Sequence, residues 1–104
     1  MHKTPVYVHL RYLIRTAAVI LEPVGPESGT RPISREYNAE VRKLCDKYGA
    51  LLIFDEVVTG FRVGLGGAQG FFNVIPDLTI FGKIVAGGYP GAGGVGGKDR
   101  RAHV

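Results

Sequence analysis

At 104 residues, 45% of them hydrophobic and 21% charged, the chain has room for one small domain and no more. Its net charge of +4 sits at the ends: Lys3, Arg11 and Arg15 face no acid in residues 1–15, and Lys98, Arg100 and Arg101 outnumber Asp99 in residues 98–104. The body between is nearly neutral and lacks a stripe of basic residues interleaved with aromatics, so a nucleic-acid partner is not expected.

Residues 1–16 are ambiguous, because Tyr7, Val8, Leu10, Tyr12, Leu13 and Ile14 fit either a strand or a short helix. They lack a clean apolar core with a small-residue cleavage site, so a signal peptide is not expected. No apolar run approaches the roughly 18 residues that argue for a membrane span, and no membrane partner is expected. Residues 17–24, AAVILEPV, form an apolar run stopped by Pro23, which reads as a strand buried on both faces. Residues 25–33, GPESGTRPI, are a loop by composition.

Ser34 is a candidate helix cap. Tyr37, Val41, Leu44, Cys45 and Tyr48 then repeat on one helical face. Lys43 and Lys47 suit the negative end of the helix dipole, and Gly49 is a natural stop. Cys45 on that apolar face reads as a packed thiol and not a nucleophile. As the single cysteine it excludes an internal disulfide, which fits a reducing compartment, and the cytoplasm is the expected location.

ALLIF at 50–54 predicts a second buried strand. Residues 59–76 predict a long Gly-rich connection with a short helix near Gln69–Asn73. LTIFG at 78–82 predicts a third strand, and residues 92–96 a last short one. The alternation predicts an α/β protein with parallel pairing. Sixteen glycines crowd toward the second half, where GKIVAGGYPGAGGVGG at 82–97 suggests backbone passing close to another group.

The acid in LLIFDEVVTGFR, residues 51–62, first suggests a Mg²⁺ site of an ATPase. That site also needs the phosphate cradle G-x-x-x-x-G-K-[ST]. Gly82–Lys83 has Asp77 in place of the first glycine and Ile84 in place of the hydroxyl. Gly97–Lys98 has Ala92 and Asp99 there. Asp55 therefore needs another partner, and Lys83 supplies one. Each ends a predicted strand, and in open parallel sheets ligands bind beyond the carboxyl ends of strands. The two are 28 positions apart, enough for one crossover connection. A lysine there can form a Schiff base with an aldehyde, and an aspartate can hold a protonated pyridine nitrogen, a pairing suited to pyridoxal phosphate. An ordinary salt bridge at the sheet edge fits the same spacing.

The text from residue 17 to residue 98 resembles the class III pyridoxal-phosphate aminotransferases. The residues that carry it are AAVILEPV, then GALLIFDEVVTGFR, then PDLTIFGKIVAGGYPGAGGVGG. The likeness is greatest to the branch containing glutamate-1-semialdehyde aminomutase. It implies that residues 17–98 are a central part of a fold-type-I large domain, with a mostly parallel sheet and flanking helices. Residues 1–16 form an unmatched lead-in and residues 99–104 a divergent tail. Lys83 matches the Schiff-base lysine, Asp55 the partner of the pyridine nitrogen, and Val57 the apolar residue against the ring. Val58 stands where the ornithine- and aminobutyrate-type transaminases often carry Gln. Glu22 and Arg62 match positions near the site, and each also fits a structural ion-pair partner. Ala86 and Gly91 depart from the family pattern.

The resemblance further implies pyridoxal 5'-phosphate as cofactor, an amino-acid or amino-aldehyde/keto-acid substrate, and a homodimer. The implied activity is amino-group transfer, as an aminotransferase or an aminomutase. The family's phosphate-gripping loop, ring-covering aromatic and downstream threonine lie outside this stretch. The chain alone is therefore expected to bind the cofactor weakly and to show no turnover. The alternatives are a truncated, non-catalytic relic and, ranked below it, a small nucleotide-binding module that needs Mg²⁺.

Overall fold

The computed structural model describes residues 15–97. The ambiguous stretch from Tyr7 to Ile14 and residues 99–104, expected to diverge, lie outside the described residues. Within them the elements are β1 (Ala18–Leu21), α1 (Tyr37–Tyr48), β2 (Leu51–Asp55), α2 (Gly67–Phe72), β3 (Leu78–Phe81) and β4 (Gly94–Gly97). A turn of 3₁₀-helix, Lys83–Ala86, follows β3. The strands form one sheet in the order β1-β2-β3-β4. The first three are parallel, and β4 runs antiparallel to β3. This is the mostly parallel α/β sheet that the alternating elements predict.

The register sorts the side chains onto two faces. Val19 pairs with Leu52, Leu21 with Phe54, and Phe54 with Thr79. These point toward the helices, where Leu52 and Phe54 are fully buried against Val41 and Cys45 of α1 and Val74 beyond α2. Burying an apolar side chain of this size stabilises the fold by about 1.5–3 kcal/mol, so this face carries the core. Ile20, Ile53 and Ile80 alternate to the other face, together with Asp55. Ile20 is 57% exposed there. The expectation that 17–24 is a strand buried on both faces is thus corrected. Among the described residues β1 stands at the edge of the sheet, it is four residues long, and only its helix-side residues pack against the core.

The predicted face of α1 is borne out. Val41 and Cys45 are buried, and Tyr37, Leu44 and Tyr48 pack partly against the core. The cap is corrected: the helix begins at Tyr37 with Glu36 at the cap position and no side-chain capping bond. Ser34 contributes only its carbonyl, which accepts the Tyr37 N–H at 3.1 Å. Asn38 shares the buried face because its amide donates to the Pro23 carbonyl at 2.8 Å, tying α1 to the loop after β1. Gly49 adopts φ +71 and ends the helix as predicted.

The remaining boundaries shift by a few residues. β2 takes in Asp55 and leaves out Ala50, whose N–H returns to the Cys45 carbonyl at 2.9 Å. The short helix in the long connection is Gly67–Phe72, closed by Asn73 at φ +55. β4 starts two residues later than predicted and ends one later. Lys83 does not end β3. It stands two residues past it, after an extended Gly82.

Burial pushes the Cys45 thiol up from its ordinary range. A raised folded-state value favours the fold below the ordinary thiol pKa, and that contribution is lost as pH climbs through the folded value. The expected result at neutral pH is a thiol silent to a disulfide exchange reagent until denaturant is added. Rapid stoichiometric reaction of the native chain would contradict the packed-thiol reading.

Candidate active site

β2 delivers Asp55 to the carboxyl rim of the sheet, and the chain turns at once. The Asp55 Oδ1 accepts the Val57 N–H at 3.1 Å, which sets the first bend. The Glu56 N–H donates to the Ile80 carbonyl at 3.0 Å, and the Gly60 N–H donates to the Glu56 carbonyl at 2.8 Å. The turn is therefore stitched to β3 as it leaves β2. Glycine at 60 is required by space, because a Cβ there would lie 2.9 Å from both the Glu56 carbonyl oxygen and the Phe81 ring.

β3 delivers the second half of the site. A Cβ on Gly82 would come within 3.3 Å of Val57, so the two rim loops touch at this glycine. Lys83 then takes φ +47, in the left-handed region that side-chain-bearing residues rarely enter. The 3₁₀ turn closes through the Val85 N–H to the Gly82 carbonyl at 3.2 Å, and Gly87 ends it at φ +62.

These segments enclose a cavity of about 200 Å³. Asp55, Val57 and Lys83 all line it, as do Glu22 and Val58. Arg62 does not: it is exposed, and its N–H donates to the Thr59 carbonyl at 3.0 Å. Three further lining residues, Val24, Ser28 and Thr59, were not singled out by sequence. Val24 and Ser28 follow β1 on the same rim, so the rule that parallel sheets bind ligands beyond their strand ends points to that loop as well. Glu22 is anchored there, its Oε2 accepting the Ser28 N–H at 2.8 Å.

The salt-bridge alternative for Asp55 and Lys83 is not what the geometry shows. Among the described residues the ion pairs are Arg31–Glu27, Arg42–Asp46 and Arg42–Asp77. Lys83 and Asp55 line one cavity, and no ion pair joins them. Amine, carboxylate and an apolar wall around that space suit a flat aromatic ring with an aldehyde at one end and a basic nitrogen at the other.

The family model for class III aminotransferases matches residues 11–101. This chain belongs to the class III aminotransferases. Among curated relatives of this class III chain, the glutamate-1-semialdehyde 2,1-aminomutase of Ignicoccus hospitalis is 57% identical over 82 residues, which are 79% of this chain and 19% of that protein. The chain thus spans about a fifth of the length of the curated relatives it matches. A solved glutamate-1-semialdehyde aminomutase from Pseudomonas aeruginosa superposes with a TM-score of 0.82 at 28% identity, covering 99% of this chain and 23% of that one. A transaminase with PLP bound superposes at 0.77 with 38% identity, covering 89% and 22%. The sheet is accordingly that of the fold-type-I transferases.

Proposed function

We propose that this chain carries the cofactor-anchoring part of a pyridoxal-phosphate-dependent enzyme that moves amino groups, as an aminotransferase or aminomutase. The observation that carries the reading is the unpaired placement of Lys83 and Asp55 on one cavity of about 200 Å³. The identity of the curated relatives supports the aminomutase branch.

Pyridoxal phosphate, when bound, supplies an electron sink for the carbanion left when a substrate Cα loses its proton. The residues here do the rest. Lys83 would hold the cofactor through its Nζ, an amine suited to a Schiff base with an aldehyde carbon. As a free amine, the same Nζ would serve as the general base that takes the substrate Cα proton and hands it on. The Asp55 carboxylate would hold a proton on the ring nitrogen. Val57 would give the ring an apolar wall and keep water from it. Among the described residues no arginine or lysine other than Lys83 lines the cavity, so the phosphate grip falls to residues outside this set. Substrates are amino acids, amino aldehydes and keto acids, and the working unit is a homodimer.

The test is chemical and needs no turnover. The chain is incubated with pyridoxal phosphate, reduced with borohydride and mapped by peptide mass. Lys83 is expected to carry the label in excess over Lys43 and Lys47, which stand exposed on α1, and Asp55→Ala is expected to reduce that excess. Label spread evenly over the three lysines would overturn the assignment.

A further inference from the structure

Glu56 lies next to Asp55 but does not line the cavity, and no part of the proposed chemistry uses it. It is nonetheless 0% exposed. A carboxylate is withdrawn from water at high cost unless its oxygens are satisfied, and these are. Oε1 accepts the Thr59 hydroxyl at 2.9 Å and the Ala68 N–H at the start of α2. Oε2 accepts the Gln69 amide at 2.9 Å. The same Gln69 nitrogen donates to the Thr79 hydroxyl of β3 at 3.1 Å. Gly67 is pressed against the carboxylate at φ +62, where a Cβ would lie 2.6 Å from Oε1. A whole connection of the chain is folded around this one side chain.

The position of that hub matters. Thr79 sits beside Phe54 on the helix-covered face of the sheet, and Asp55 belongs to the opposite face. The Glu56 carboxylate therefore works from behind the sheet. It joins the end of β2, which presents Asp55 and Val57, to α2 and to β3, which leads through Gly82 to Lys83. It also holds Thr59, a residue of the cavity wall.

We infer that Glu56 is a positioning residue of this site: its buried carboxylate sets the spacing of the Asp55 and Lys83 rims by clamping both strands and α2 from the far face. The inference rests on the cofactor reading above. It calls for reach and acceptor oxygens at residue 56. Glu56→Gln keeps one oxygen for Thr59 and Ala68, and its amide meets Gln69 once that side chain turns over. Glu56→Ala keeps neither.

The experiment labels the 104-residue chain with pyridoxal phosphate and borohydride, at a temperature where circular dichroism shows each variant folded. The readout is the ratio of label on Lys83 to label on Lys43 and Lys47. A loss of stability alone leaves this internal ratio unchanged in the folded protein. Misplacing reacting groups by about 1 Å costs up to about a hundredfold in rate. The expected result is a fall of about tenfold or more in the ratio for Glu56→Ala, with recovery in Glu56→Gln. A folded Glu56→Ala chain with the parent ratio overturns the positioning role and leaves the cofactor reading intact. If Glu56→Ala does not fold, Gln69→Leu decides, because it cuts the bridge from the Glu56 Oε2 to Thr79 and leaves the Thr59 and Ala68 bonds to Oε1 in place. A lowered ratio in folded Gln69→Leu supports the proposal and a parent ratio overturns it. Absence of any Lys83 preference in the parent chain overturns the cofactor reading, and the positioning role falls with it.

Discussion

Lys83→Ala abolishes site-directed labelling by pyridoxal phosphate, and Lys83→Gly does the same while making the fold more stable. The first half follows from chemistry, since no other amine lines the cavity. The second half follows from the backbone. Lys83 holds φ +47, a conformation that costs a side-chain-bearing residue about 1–3 kcal/mol. Glycine enters that region freely but gives up about 0.5–1 kcal/mol of chain entropy on folding. The balance favours Lys83→Gly by about 1 kcal/mol, whereas Lys83→Ala retains the strain. Urea unfolding followed by circular dichroism should place the midpoints in the order glycine variant above alanine variant. Equal midpoints, or the reverse order, would show that the local conformation is not strained. A lysine kept where glycine is easier is what a covalent anchor on a tight turn calls for.

Asp77→Ala is expected to cost the chain about 3–5 kcal/mol, the range for breaking a half-buried, hydrogen-bonded ion pair from one side. The Asp77 carboxylate accepts the Leu52 N–H at 2.8 Å and the Arg42 guanidinium at 3.0 Å. Its own N–H donates to the Leu52 carbonyl at 2.8 Å. Leu52 is in the centre of the core, so the variant leaves its N–H without an acceptor in a place water does not reach. Arg42 would stand half-buried with only Asp46 on its charge. Burial alone lowers an arginine's proton affinity, and Asp77 and Asp46 more than offset that, so the guanidinium holds its proton more tightly than an exposed one. A chain of this length is stabilised by about 5–15 kcal/mol in all, so the loss is a large fraction of the total. Asp77→Asn keeps one acceptor oxygen and should lose about 1–3 kcal/mol. Denaturant midpoints measure both. An Asp77→Ala chain as stable as the parent would remove the brace from the account of the fold.

Much of the site was legible because it rests on local patterns. Two apolar runs ending near Asp55 and Lys83, separated by enough chain for a crossover, already imply parallel strands with a shared rim. The apolar spacing from Tyr37 to Tyr48 already implies which side of α1 faces inward, and Gly49 where it ends. Ser34 misled, because a hydroxyl that can cap does so only if the entering loop brings it to the first turn, and here that loop is held by Asn38 on Pro23. The run AAVILEPV misled for a related reason. Apolar composition shows that a strand can be buried on both faces, and only the order of strands shows whether anything lies on the second one.

The sequence by itself determined the strand–helix–strand order, the inward face of α1, the acid and the amine, and the family to which they belong. Those features depend on residues close in the chain, where the strand's period of two and the helix's period of 3.6 are set by backbone geometry. Tertiary structure alone decided that Asp55 and Lys83 share a cavity without pairing, that β1 stands at the edge, and that Lys83 occupies a left-handed turn. It also decided that Glu56, identical in composition to any surface acid, is the buried clamp behind the site. Its partners Ala68 and Gln69, and Thr79 reached through Gln69, come near only when α2 and β3 pack. The energy of a charge depends on what surrounds it in space, and neighbours in space are fixed by packing.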